Sequence, residues 1–192
     1  VSYDMGGTTA KICLIDNAEP QTARTFEVAR VYRFLKGSGI PLRIPVIEMV
    51  EFGAGGGSIA HIDAMGRIAV GPQSAGSEPG PVAYSRGGTE PTVTDADVAL
   101  GRIDPDTFAG GNMPLDHAAA SAALERVVGK KLELSSVHAA LGVSEMVDEN
   151  MANAARVHAI ESGKLCDDRT LVAFGGAAPL HAARIAEKLE MD

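Results

Sequence analysis

The chain has 192 residues, with 17 Lys and Arg against 25 Asp and Glu, a net charge of −8. That balance excludes a protein built to grip a nucleic-acid backbone, which needs a basic face. Hydrophobic residues make up 45% of the chain but aromatics only 4%, with no Trp, so the core must be aliphatic and Ala-rich.

Two cysteines, Cys13 and Cys166, lie far apart and form no C-x-x-C or metal spacing. They read as reduced thiols of a cytoplasmic protein. No apolar run approaches the ~20 residues of a membrane span. The length suits one ordinary domain or two small lobes.

In chain order, residues 1–16 predict a hairpin. Val1-Ser2-Tyr3 ends one strand, Asp4 to Thr9 turns, and Lys11 to Ile15 returns. The turn begins so close to Val1 that its leading strand is short, which leads us to expect a piece of a larger protein. Residues 24–36 fit neither period cleanly. Gly37-Ser38-Gly39 is a turn, and Ile44 to Phe52 reads as one strand. Ile59 to Asp63 and Ile68 to Val70 form a second hairpin. Gly71 to Pro91 is rich in Gly, Pro and Ser, and reads as a long functional loop or linker.

The remainder is mostly helical. Thr94 is the expected N-cap of a helix to Gly101, Asp116 caps a second through Val128, and Ser135 or Ser136 starts a long one that Gly163 stops. Thr170 to Phe174 reads as a buried strand, followed by a Gly175-Gly176 turn and a last helix carrying His181.

Three glycine turns carry the candidate chemistry. In Asp4-Met5-Gly6-Gly7-Thr8-Thr9, backbone N–H groups and the hydroxyls of Thr8 and Thr9 can converge on phosphate. The Asp4 carboxylate would repel phosphate unless a divalent ion lay between them, and Mg²⁺ held partly through water suits it. The P-loop pattern is absent. Gly53 to Ser58, with Gly55, Gly56 and Ser58, fails as a dinucleotide fingerprint because its spacing is wrong and a strand follows. It reads as a close-approach loop or a structural turn.

Gly175, Gly176 and Ala177 end a strand before a helix, where open α/β sheets bind ligands. Close helix–strand packing is the plainer alternative. Asp95 and Asp97 are the best carboxylate pair, although helix N-terminal charge explains them too. His181 is the best candidate histidine because it follows the third turn, and no histidines show metalloprotease spacing.

Taken together, these residues resemble the hydantoinase A / 5-oxoprolinase family. The match runs through Asp4 to Thr9, Gly53 to Ala60, Gly71 to Gly76, Pro79-Gly80-Pro81, Arg86 to Thr89, Thr92 to Ala96 and Phe174 to Ala177. The resemblance implies an α/β fold of the actin/hexokinase/Hsp70-like (ribonuclease H-like) ATPase type. That is a lobe with a mixed sheet and helices, from a two-lobe protein. Residues 1–192 would be one partial hydantoinase A-type domain with the Gly/Pro-rich loop 71–91 inserted.

By the same resemblance, Asp4, Gly6, Gly7, Thr8 and Thr9 grip phosphate, with Asp4 holding Mg²⁺ through water. Gly175, Gly176 and Ala177 hold the adenosine of ATP. Gly55, Gly56, Ser58, Asp95 and His181 stand as further candidates, and no catalytic residue is assigned. The implied activity is ATP-dependent opening of a cyclic amide, such as a hydantoin or 5-oxoproline ring, through a phosphorylated intermediate. A carboxylase subunit of the same family is one alternative, and a non-catalytic assembly or regulatory module is another. The implied partners are a hydantoinase B-type subunit or domain and the first lobe of the parent chain. The family tends to have Gly where Ala178 stands, Cys where Ala83 stands and Gly where Ser85 stands.

Overall fold

The computed structural model describes residues 1–29, 31 and 37–191. The first strands are β1 (Ser2–Met5) and β2 (Ala10–Cys13), joined by the predicted turn. A run of two- and three-residue strands follows: β3 (Ile15–Asp16), β4 (Glu19–Pro20), β5 (Thr22–Ala23), β6 (Phe26–Val28), β7 (Ile40–Leu42) and β8 (Val46–Ile47). Most of the ambiguous segment 24–36 beyond β6 lies outside the described residues.

Then come β9 (Met49–Phe52), β10 (Ser58–Ile62), β11 (Ile68–Ser74), α1 (Val93–Ala99) and α2 (His117–Leu124). The second helix runs on through a π-turn at Glu125–Gly129 into α3 (Lys130–Leu132). The chain ends with α4 (Ser136–Glu161), β12 (Val172–Phe174) and α5 (Ala178–Lys188).

The main sheet has the order β12-β1-β2-β9, with β12 parallel to β1 and the other pairs antiparallel. Alternation along β1 turns Tyr3 and Met5 inward, where they join Ile12 of β2, Leu14 just after it, and Val147, Met151 and Ala155 from α4. The Tyr3 hydroxyl donates to the sulfur of Met151 at 2.8 Å, so this otherwise apolar core satisfies its one phenol. Alanines at 96, 139 and 140 let α1 and α4 approach closely over Leu124 and Val128, in a second core cluster.

Several expectations need correction. The strand expected over 44–52 is broken into β8 and β9, which belong to different sheets, because Glu48 N–H donates to Gln21 O at 2.7 Å. Loop 71–91 is not wholly irregular: β11 extends to Ser74, and Val82–Tyr84 forms a 3₁₀ turn. The cap of α1 is Thr92, two residues before the expected Thr94. Its hydroxyl accepts from Asp95 N–H while the Asp95 carboxylate accepts from Thr92 N–H, a capping box. Strand β12 lies at the sheet edge rather than buried: among the described residues it pairs only with β1, and Val172 is 54% and Phe174 49% exposed.

Asp116 and Ser135 cap α2 and α4 as expected, and Gly163 follows α4 at φ +68°. Ser85 sits in the left-handed region at φ +55°, where a Cβ costs roughly 1 kcal/mol. Ser85→Gly is therefore expected to stabilise the protein by up to about 1 kcal/mol. A denaturant midpoint unchanged or lowered by that substitution would show that the serine side chain compensates.

Candidate functional site

The three glycine turns, separate in sequence, meet at one end of the main sheet. The Asp4–Thr9 turn closes through Gly6 N–H to Thr9 O at 3.1 Å. The 53–58 loop lies against it: Gly56 N–H donates to Gly6 O at 3.0 Å and Gly57 N–H to Gly7 O at 2.7 Å. The third turn is anchored where Ala177 N–H donates to Met5 O at 2.9 Å. Helix α1 joins them through Thr94, whose N–H donates to Gly56 O at 2.8 Å.

Two of the glycines are demanded by this packing. A Cβ on Gly55 would stand 2.5 Å from Gly7 C and Thr8 N, and one on Gly175, already at φ +91°, would overlap Asp4 Oδ1. Gly6, Gly7 and Gly176 behave differently. None has a left-handed φ, and a Cβ on any of them would meet nothing within 4 Å. The chain's own packing does not require glycine there, and the space beside each is open.

The carbonyls of Gly6 and Gly7 are taken by the 53–58 loop. Among the described residues, the N–H groups of Gly7 and Thr8 find no acceptor in the protein. Unpaired N–H groups on an exposed turn, beside the hydroxyls of Thr8 (exposed) and Thr9 (half-buried), form an anion-receiving surface. The Asp4 carboxylate is half-buried at its edge. Among the described residues, no group of three or more His, Cys, Asp or Glu side chains is gathered to hold a metal. At this turn the protein offers a metal one carboxylate, that of Asp4, and no cage.

The other sequence candidates sit deeper. Gly55, Gly56 and Ser58 are buried, and the Ser58 hydroxyl accepts from Gly55 N–H at 2.9 Å to hold the loop shut. Ala177 and Ala178 are buried, so the methyl of Ala178 packs inward where the family tends to have glycine. Asp95 and Asp97 do not act as a pair: positions i and i+2 face opposite sides of a helix. Asp95 accepts from Val82 N–H (3.1 Å), Ala83 N–H (2.7 Å), Thr92 N–H (2.8 Å) and the Thr92 hydroxyl (2.9 Å). Burial pushes its carboxyl up while these donors pull it down, and burial prevails. A hollow of about 470 Å³ lies elsewhere, between Gly88-Thr89 and Arg126, and none of the glycine turns lines it.

Asp97 faces inward to His181, which is fully buried. His181 Nδ1 lies 2.7 Å from Asp148 Oδ1, and Nε2 lies 3.2 Å from Asp97 Oδ2, an ion-pair separation off the hydrogen-bond axis. Arg102 Nη1 reaches Asp97 Oδ1 at 3.1 Å and the Ser144 hydroxyl at 2.7 Å, and that hydroxyl donates to Asp148 at 3.3 Å. The result is a closed ring of His181, Asp97, Arg102, Ser144 and Asp148. Asp148, Ser144 and Arg102 escaped sequence reasoning because no local spacing links them to His181.

Burial by itself pulls the His181 imidazole down, but Asp148 and Asp97 outweigh it and raise its pKa to about 9. A raised histidine pKa stabilises the fold fully below the ordinary value near 6.5, and that contribution fades as pH rises through about 9. The loss is expected to reach about 3 kcal/mol between pH 6 and 10. Urea unfolding of wild type minus His181→Gln reads it, because the difference cancels the buried thiols of Cys13 and Cys166, which burial pushes up. A difference that stays flat with pH would show that His181 is not held charged.

The hydantoinase/oxoprolinase family model matches residues 1–192. The chain belongs to the hydantoinase/oxoprolinase family. It is 41% identical to the acetophenone carboxylase gamma subunit of Aromatoleum aromaticum over 184 residues, 95% of this chain and 24% of that one.

Among solved structures, the ATP-dependent caprolactamase of Pseudomonas jessenii superposes with a TM-score of 0.83 at 36% identity, covering 99% of this chain and 26% of that one. Nucleotide-free acetone carboxylase, described with ATP-dependent acetone carboxylation, superposes at 0.84 with 28% identity, again 99% against 26%. The fold is thus the mixed-sheet ATPase lobe of actin/hexokinase type, and the chain spans about a quarter of these relatives' length. Among the described residues, no helix is long and apolar enough to cross a membrane.

Proposed function

We propose that residues 1–192 are one jaw, gripping phosphate and adenosine, of the ATP clamp of an enzyme that opens a cyclic amide. The observation that carries this reading is the contrast among the glycines: Gly6, Gly7 and Gly176 keep open space that the fold itself does not need, around unpaired N–H groups. In this reading Gly7 and Thr8 N–H groups and the Thr8 and Thr9 hydroxyls bind phosphate oxygens. The flat backbone of Gly175, Gly176 and Ala177 takes the adenosine. Mg²⁺, when bound, supplies charge neutralisation, and Asp4 would hold one of its waters.

The chemistry follows that of phosphoryl transfer, in which positioning and electrostatics do most of the work. The γ-phosphoryl passes to the amide oxygen and ADP leaves. Water then adds to the activated carbon and the C–N bond breaks, with the amine as leaving group, to give an acyl phosphate, which a second water hydrolyses to carboxylate and phosphate. The remaining jaw of the clamp, and a hydantoinase B-type partner, would come from outside residues 1–192. The subunit names of the carboxylase relative support a multi-subunit setting. The free, buried Cys13 and Cys166 support a reducing, cytoplasmic location.

A carboxylase reading keeps the same ATP site and changes the acceptor, and the 41% identity to a carboxylase subunit favours giving it a separate test. Phosphate release should be measured with the full-length protein and Mg-ATP, in the presence of hydantoin, 5-oxoproline or caprolactam, and in parallel with a ketone plus bicarbonate. Amide-dependent release with a ring-opened product is expected. Release that depends only on ketone and bicarbonate would replace the amide by the carboxylation substrate, and no release in either arm would refute both. The segment alone is expected to bind Mg-ATP more weakly than ~100 μM.

A further inference from the structure

Direct backbone bonds and Thr94 of α1 hold the three glycine turns to one another, and α1, α4 and α5 share one charged centre. We infer that His181 is a positioning residue for the nucleotide site. Its doubly protonated ring ties α5, which carries the Gly175–Ala177 turn, to Asp97 on α1 and Asp148 on α4. This inference rests on the proposed nucleotide reading of the turns.

Several observations converge on it. His181 lies in the first turns of α5, close after Ala177, whose N–H is fastened to Met5 O. Asp97 lies on α1 one turn beyond Thr94, whose N–H holds Gly56 O, and Gly56 N–H in turn holds Gly6 O. Moving α5 relative to α1 therefore moves the adenosine turn relative to the phosphate turn. Both ring nitrogens face carboxylate oxygens, at 2.7 and 3.2 Å, so a neutral tautomer would turn a lone pair toward an anion.

With the ring protonated, two cations, His181 and Arg102, balance two carboxylates, and Ser144 closes the circuit. Charge balance matters here because an unpaired buried carboxylate is strongly destabilising. The groups that face His181 are Asp97 from α1, Asp148 from α4 and, through Asp97, Arg102. From β1, the Tyr3 phenol lies close enough that Asp148 and Asp97, together with its burial, hold it un-ionised. On its own helix, Arg184 turns outward to Glu145 and Glu187 and stays clear of the centre.

The test compares wild type and His181→Gln in the full-length protein, well below the melting temperature of both. It measures Mg-ATP affinity by calorimetry and amide hydrogen exchange in segments 5–9 and 174–178. His181→Gln is expected to weaken nucleotide binding by about tenfold and to speed exchange in both segments. The double variant His181→Gln/Asp148→Asn, which restores the charge count and leaves an amide pair bridging α5 and α4, should recover most of both.

A variant that melts earlier but keeps wild-type affinity and wild-type exchange in those segments would overturn the inference, leaving His181 only a stabilising role. Should His181→Gln fail to fold, Asp97→Asn removes the α1 anchor with little change of shape and must show the same two effects. Should wild type bind no Mg-ATP, the proposed function fails. The exchange of segment 174–178 then still decides whether His181 positions the turn.

Discussion

Gly55→Ala is expected to destabilise the protein by about 4 kcal/mol, while Gly7→Ala, at the facing turn, changes stability by less than about 1 kcal/mol. The added methyl at 55 runs into the Gly7–Thr8 peptide group: Gly7 C and Thr8 N at 2.5 Å and Gly7 O at 2.7 Å. No rotamer change relieves a clash with backbone. Either the 53–58 loop or the Asp4–Thr9 turn must retreat, and the bonds from Gly56 to Gly6 and from Gly57 to Gly7 go with it.

At Gly7 the same methyl enters open space and lowers the entropy of the unfolded chain. Its expected effect is functional: nucleotide affinity falls by at least about tenfold, because in the proposed reading the methyl occupies space that phosphate needs. Denaturant midpoints at constant m-value, together with Mg-ATP titrations, read the two effects separately. If Gly7→Ala bound nucleotide as wild type does, the ligand-based reason for that glycine would be lost.

The second large effect belongs to Asp95. Replacing it by alanine is expected to cost about 4 kcal/mol. Three backbone N–H groups and one hydroxyl then lose their acceptor in a buried place, and α1 loses half of its capping box. Asp95 also pins Val82 and Ala83, so the variant should be cut faster by protease within loop 71–91. Asp95→Asn should be milder, since its amide oxygen still accepts. A loss below about 1 kcal/mol for Asp95→Ala would mean that water replaces the carboxylate, and that the loop is held by other contacts.

What was legible in the sequence was local. The Asp4–Thr9 hairpin turn, the Asp116 and Ser135 caps and the Gly163 stop each depend on chemistry within a few residues, and each stands where residue types placed it. Even a local signal misled once: Thr92 and Thr94 are both plausible caps, and only the return bond from Asp95 to Thr92 decides between them.

What was not legible depended on pairing across the chain. Thr170 to Phe174 is apolar enough to read as buried, yet its position at the sheet edge leaves Val172 and Phe174 exposed. His181 was legible as a candidate from its place after a glycine turn. Its partners were not, because Asp148 lies 33 residues away in sequence and Asp97 farther still. The meeting of the three glycine turns is likewise a product of the sheet order and of α1, not of any one motif.

The central claim is that the Asp4–Thr9 turn, with Gly175–Ala177 beside it, receives a nucleotide. A calorimetric titration of Mg-ATP into the full-length protein, wild type against Asp4→Ala, tests it most directly. Saturable binding by wild type and an affinity at least about tenfold lower in the variant are expected. Equal affinities in folded wild type and Asp4→Ala would contradict it.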